Sequence, residues 1–160
     1  RIVAKKVDWA YNDGEANQAL PLLEAVKRND RDLVRQYIDA GAPVDVHFKD
    51  GSCALAQAID NSPNNEDAAR VVELLVTRGA NVNRRFPDGR TPLFAAAESG
   101  DIRVVNFLIA KGAQVNARIL DDSPLDAAES HYNIPAARVI AAHGGRRTNP
   151  TSGIGSRGVW

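Results

Sequence analysis

Asp88–Ala117, DGRTPLFAAAESGDIRVVNFLIAKGAQVNA, is the stretch whose reading decides the fold. Asp88-Gly89 spells a tight turn in which glycine supplies the permissive backbone. Thr91 suits a helix N-cap, and Pro92 suits the first helical position, where its missing N–H costs nothing. Ala95, Ala96 and Ala97 keep the helix slim, so that a neighbouring unit can approach closely. Gly100 ends it. A second helix is predicted from near Ile102, with Val104, Val105, Leu108 and Ile109 spaced to face a core. Lys111 lies in its last turn, favourable for the helix dipole, and Gly112 takes a left-handed C-cap.

The same spelling recurs on both sides. DGSCALAQAID and VVELLVTRGANVNR precede it, DDSPLDAAES and AARVIAAHGG follow, and LPLLEAVKRNDRDLVRQYIDAGAPVD keeps the helical part without the DG turn. Gly41, Gly79, Gly112 and Gly144 close the four second helices at separations of 38, 33 and 32 residues.

The segment TPLFAAAESG…VVNFLIAKGAQVNA resembles the ankyrin repeat, whose signature is a TPLHxA opening and a period of about 33. The resemblance covers residues 18–147 in four units, 18–47, 48–85, 86–118 and 119–147, with 1–17 as an N-terminal capping segment and 148–160 as a flexible tail. It implies an all-α solenoid of stacked helix-turn-helix units joined by short hairpin-like loops. It also implies a non-catalytic protein–protein interaction module.

Four departures from the family pattern carry the individual information. Phe94 stands where the family has the His of TPLH, with Ala56 and Asp126 at the same place in neighbouring units. About five extra residues are expected between the helices of the second unit, at Asn61–Asp67. The last unit is joined by a loop one residue shorter than usual. Finally, the hairpin position three before the turn glycine, often Asp in the family, is Phe48 in FKDG and Phe86 in FPDG, and the last hairpin has Ile119 and Leu120. Cations flank each: His47 and Lys49; Arg84, Arg85 and Arg90; Arg118.

Repeats stack with a nearly constant rotation, so equivalent hairpin positions are expected to form a line. Two readings follow. Phe48, Phe86, Ile119 and Leu120 form an apolar ridge flanked by cations that meets a partner, or they fold back and stiffen the array. The first is the working expectation, because aromatic and Arg side chains concentrate interface energy. The family's habit of binding through hairpin tips and first helices adds Asp60, Asn61 and Glu98 to the expected contact set.

Composition narrows the function further. Twenty basic and twenty acidic residues cancel, so no global field draws nucleic acid or an anionic membrane. No apolar run approaches the ~20 residues needed to span a bilayer. Cys53 is the only cysteine, so no internal disulfide is expected; replacing the Thr of its unit's N-cap, it suits a packed or capping role. His47, His131 and His143 fall in different units without metal-ligand spacing. GIGSRG at 153–158 matches a dinucleotide-binding pattern in letters only, since no strand precedes it and no helix follows. No cofactor, no metal and no catalytic set is therefore expected. The chain should be monomeric on its own and bind one cognate protein.

Fifteen of the twenty basic residues are Arg, which points to a GC-rich, bacterial source. In that setting two versions of the binder compete, an inhibitor or immunity-type protein and an adaptor delivered into a host. The alternative is a regulatory ankyrin domain or host-directed adaptor cut from a larger protein. A cytoplasmic location is favoured, with a periplasmic or secreted one open.

Overall fold

In a computed structural model of the chain, residues 12–45 and 53–148 are described, with side chains described from Leu20 onward in the first helix. Among them are eight helices: α1 (Asn12–Lys27), α2 (Arg31–Asp39), α3 (Ala54–Asn61), α4 (Glu66–Thr77), α5 (Pro92–Ser99), α6 (Ile102–Ala110), α7 (Pro124–Ser130) and α8 (Ile134–Ala142). They form two compact units, residues 1–81 and 82–160. In the first unit α1 packs on α3 and α2 on α4; in the second α5 packs on α7 and α6 on α8. No strand is present among the described residues, only an isolated antiparallel bridge between Ile119 and Asp122.

Sequence dictates where each helix starts. Cys53, Thr91 and Ser123 hold equivalent N-caps, and their side chains accept from the backbone N–H of Ala56, Phe94 and Asp126. Asp30, Asn65 and Asp101 cap α2, α4 and α6 in the same way. Each cap satisfies a donor that the first helical turn leaves without a partner. In the first unit the core is Leu22, Val26, Val34, Ile59, Val71, Val72 and Leu75; in the second it is Leu93, Val104, Val105, Leu108 and Ile140. Ile109, expected in that core, is only half-buried.

Two expectations about boundaries change. Helix α1 begins at Asn12, inside the stretch assigned to an N-terminal cap. The five extra residues of the second repeat, expected between its helices, lie only partly there. Only Ser62–Asn65 join α3 to α4, against Gly100–Asp101 between α5 and α6, and α4 has 12 residues where α6 has 9. Two residues of the insertion lengthen the connector and three lengthen the helix. Ser62 is buried, its hydroxyl donating to the Ile59 carbonyl at 2.9 Å, so this segment is built into the repeat.

A polar staple ties the α7–α8 connector of the second unit to the end of α5. Asn133, the N-cap of α8, donates from Nδ2 to the carbonyls of Ala97 and Glu98 at 3.0 and 2.7 Å, taking two free acceptors at the end of α5. Its amide lies against Gly100, whose φ is +77°; a Cβ there would stand 2.4 Å from Asn133 Oδ1. Gly112, at φ +90°, has nothing within 4 Å of the same added atom. Gly112→Ala should therefore cost only the left-handed backbone strain, about 1 kcal/mol. Gly100→Ala should cost about 1–3 kcal/mol more, because the staple must also break. Urea unfolding of the two variants measures the difference, and equal losses would show that the staple carries no stability.

Candidate functional site

The hairpins between repeats are where the sequence placed its candidate contact residues, and the two in the second unit differ in construction. In the first, the Phe86 carbonyl accepts from Gly89 N–H and Phe86 N–H donates to the Arg90 carbonyl, both at 2.8 Å. This encloses a three-residue loop, Pro87-Asp88-Gly89, with Gly89 at φ +88°. The second hairpin is one residue shorter. Ile119 and Asp122 exchange both backbone hydrogen bonds at 2.9 Å around a two-residue loop, and its first residue, Leu120, has φ +50°. Glycine usually fills that position, because a Cβ is strained there. The residue missing from the 32-residue spacing is therefore the one that forces a leucine into the left-handed region.

Burial separates the two tips. Phe86 is 5% exposed and Leu120 is 94% exposed. Phe86 is therefore buried, as the fold-back reading expects, and it is not part of a displayed ridge. Leu120 extends into solvent. Ile119 is half-buried and Arg118 exposed beside it. His47, Phe48 and Lys49 lie outside the described residues.

The flanking polar residues are mostly committed. Arg90 bonds Asp88 at 2.7 Å and Glu98 at 2.9 Å, tying the hairpin to α5, so Arg90 and Glu98 hold each other. Burial pushes the Asp88 carboxyl up, but hydrogen bonds and charge from Arg90 outweigh it and hold the carboxyl below its ordinary range. Arg85 is exposed and donates to the Gly89 carbonyl at 2.9 Å. Arg84 is half-buried, and Asp60 is exposed. Asn61 accepts from Gln57 at 3.1 Å and donates to Asn29 Oδ1 at 3.2 Å, joining α3 to the α1–α2 connector. Its first duty is within the repeat stack.

Sequence reading missed a ladder of side chains four residues after each of the first three closing glycines. Asn83 Nδ2 donates to the Gly112 carbonyl and its Oδ1 accepts from Gln114 N–H, at 3.0 and 2.7 Å. Asn116 repeats this on Gly144 and Arg146 at the same distances. Asp45 accepts from Asn81 N–H at 3.1 Å. The signal was present as GAPVD, GANVN and GAQVN.

Also missed was a closing latch in the last repeat. Asp126 is fully buried and accepts from Ser123 N–H, Ser123 hydroxyl, Thr148 N–H and Thr148 hydroxyl, at 2.7–2.9 Å. Burial pushes its carboxyl up, yet these donors outweigh burial and hold it far below the ordinary carboxylate range. Beside it Glu129, also buried, takes two hydrogen bonds from Arg147, which keeps that guanidinium charged. Two carboxylates and two residues of the closing turn thus seal one edge of the last helix pair.

Among the described residues no group of three or more His, Cys, Asp or Glu is placed to hold a metal ion, and no helix is long and apolar enough to cross a membrane. What remains is a scaffold of paired helices with hairpins that display side chains, a helical-repeat fold. The family described as ankyrin repeats (3 copies) matches residues 22–119, and the chain belongs to it. The match runs from the last residues of α1 through α6; α7 and α8 follow it as a fourth helix pair. Ankyrin repeats generally mediate protein–protein interaction and are typically non-catalytic. The chain is also similar to a human 2-5A-dependent ribonuclease, at 36% identity over 83 residues, 51% of this chain and 10% of that protein.

The latch yields a pH prediction. A carboxyl whose folded pKa is depressed stabilises the fold above its unfolded pKa, and that contribution fades as pH falls below about 4. Asp126→Asn should therefore cost about 1–3 kcal/mol at neutral pH. The gap between variant and parent in denaturant unfolding should narrow progressively as pH falls below about 4, and close only once pH passes below the depressed folded pKa of Asp126. A gap that is constant with pH would place the stabilisation elsewhere.

Proposed function

We propose that this chain is a non-catalytic module that binds one cognate protein through its hairpin tips, with Leu120 as the leading contact of the last hairpin. The observation that carries this is Leu120 itself, an apolar side chain 94% exposed on a backbone at φ +50°. Left-handed backbone costs a leucine about 1–2 kcal/mol, and exposure returns nothing to the fold. Strain kept where the fold gains nothing from it is a mark of function. Arg118, exposed beside it, supplies a charged flank.

The binder reading divides by what the partner is. An inhibitor or immunity-type protein needs one rigid surface fitted to one target, which a short array provides. A regulatory segment of a longer protein is favoured by a different observation: the similar stretch is about a tenth of a 2-5A-dependent ribonuclease. The two differ in whether the bound protein is a separate gene product or the rest of the same chain.

Affinity capture from the source organism, with the bound protein identified by mass spectrometry, supplies the partner. Leu120→Asn should then weaken its binding at least tenfold while leaving the melting temperature equal or higher, because asparagine tolerates left-handed backbone. Phe86→Ala should lower stability by about 3 kcal/mol, the cost of emptying a buried aromatic site. Unchanged partner affinity in a folded Leu120→Asn variant would remove the last hairpin from the interface.

A further inference from the structure

Among the described residues, none covers the far face of the last helix pair. In α8, Ile134, Ala137, Arg138 and Ala141 follow the i, i+3, i+4, i+7 spacing and share one face. With Leu125 and Glu129 of α7, that face lines a pocket of about 520 Å³. Its floor is apolar: Leu125 and Ala137 are buried and Ile134 is half-buried, while Ala141 and Arg138 are exposed.

The charge around this floor has one sign. Glu129 is the only acid lining it and is taken by Arg147. Arg138 and Arg146 also line it, both exposed, and neither side chain makes an ion pair among the described residues. No Asp or Glu follows Glu129 in the sequence. Residues 149–160 contain three Gly, one Pro and Arg157 as their one charged side chain, a composition neither acidic nor helix-favouring.

We propose that this face docks an acidic amphipathic helix of another protein, laid along α8. Its apolar stripe would rest on Ile134, Ala137 and Ala141, and its carboxylates would meet Arg138 and Arg146. Alanines at the contact let helix axes approach to about 8 Å. Side-by-side packing of second helices is already the arrangement of α2 on α4 and of α6 on α8. Guanidinium groups without an ion pair match carboxylates in a two-pronged geometry that ammonium groups cannot provide. This site is on different elements from the hairpin tip, so it stands or falls independently of the function proposed above.

The probe is a synthetic helical peptide of about four turns with Leu and Ala on one face and Glu on the other, and a counterpart with Lys for Glu. Binding to the whole chain is read by fluorescence anisotropy and by amide shifts in NMR spectra. The Glu peptide should bind, with shifts centred on Ala137, Ala141 and Gly145, and the Lys peptide should bind at least tenfold more weakly. Arg138→Ala combined with Arg146→Ala should weaken the Glu peptide at least tenfold. Ala141→Glu, at an exposed helical position, should weaken it similarly without lowering the melting temperature. Leu120→Asn should leave this binding unchanged. Equal binding of both peptides, no binding of the Glu peptide at millimolar concentration, or indifference to the Arg and Ala141 variants would each overturn the proposal. So would concentration-dependent dimerisation abolished by Ala141→Glu, which would make a second copy of this chain the occupant.

Discussion

Every described helix of this protein leaves through a residue with positive φ. Asn29, Gly41, Asn64, Gly79, Gly100, Gly112, Tyr132 and Gly144 follow α1 to α8 in turn. After α2, α4, α6 and α8 the same pair of hydrogen bonds closes the turn, from the glycine and its successor back to the last helical turn: Gly112 N–H to Ile109 and Ala113 N–H to Leu108, for example. This is the geometry that reverses the chain within a few residues. Pairing of short helices, and stacking of pairs, depends on it. The Asn ladder then uses those same turns, since Asn83 and Asn116 bond the carbonyls of Gly112 and Gly144. One backbone requirement therefore sets both the fold of a repeat and its attachment to the next.

Residue choice at these points shows where stability was not the criterion. Glycine and asparagine occupy most of them and carry little strain. The last repeat departs twice. Leu120 sits left-handed at its hairpin, and Tyr132 does so, at φ +58°, between α7 and α8; their exposures are 94% and 74%. At the matching turns of the third repeat stand Gly89 and Gly100. Two large side chains thus accept strained backbone and stay in solvent, in a repeat otherwise sealed with buried carboxylates. Packing does not require either of them. Among the described turns, strain and exposure coincide only in this repeat.

Much of the fold was legible because its punctuation is local. Thr91, Pro92, Gly100 and Gly112 each act within a few residues, so capping chemistry read from the chain places α5 and α6 correctly. The insertion in the second repeat was visible as a length but not as a shape, because adding residues to α4 or to the connector gives the same spacing. Phe86 was harder still. An aromatic at a hairpin position is compatible with a displayed ridge or a buried anchor, and the choice rests on which way a three-residue loop turns it. Leu120 was named as a contact residue without the feature that singles it out. The missing residue in the spacing was visible, but its consequence for φ needed the pairing of Ile119 with Asp122. Asn61 and Glu98 were chosen as surface groups; Asn61 reaches Asn29 of the preceding repeat, and Glu98 takes Arg90 from the hairpin of its own repeat, pairings that the helical spacing alone does not reveal.

The position of the family's TPLH histidine ties these observations together. Phe94 fills it with a buried ring in the third repeat, and Asp126 fills it in the fourth with a buried carboxylate. A carboxylate in that place needs donors, and the closing turn brings them, through both the N–H and the hydroxyl of Thr148. Substituting an acid for an apolar side chain thus converts a packing site into a clasp that holds the end of the array with charge-assisted hydrogen bonds. A clasp acts along one edge and leaves the broad face of α8 uncovered. Within α8 that division is visible residue by residue: Ala136, Ala137 and Ile140 are buried against the repeat, while Arg138 and Ala141 face solvent.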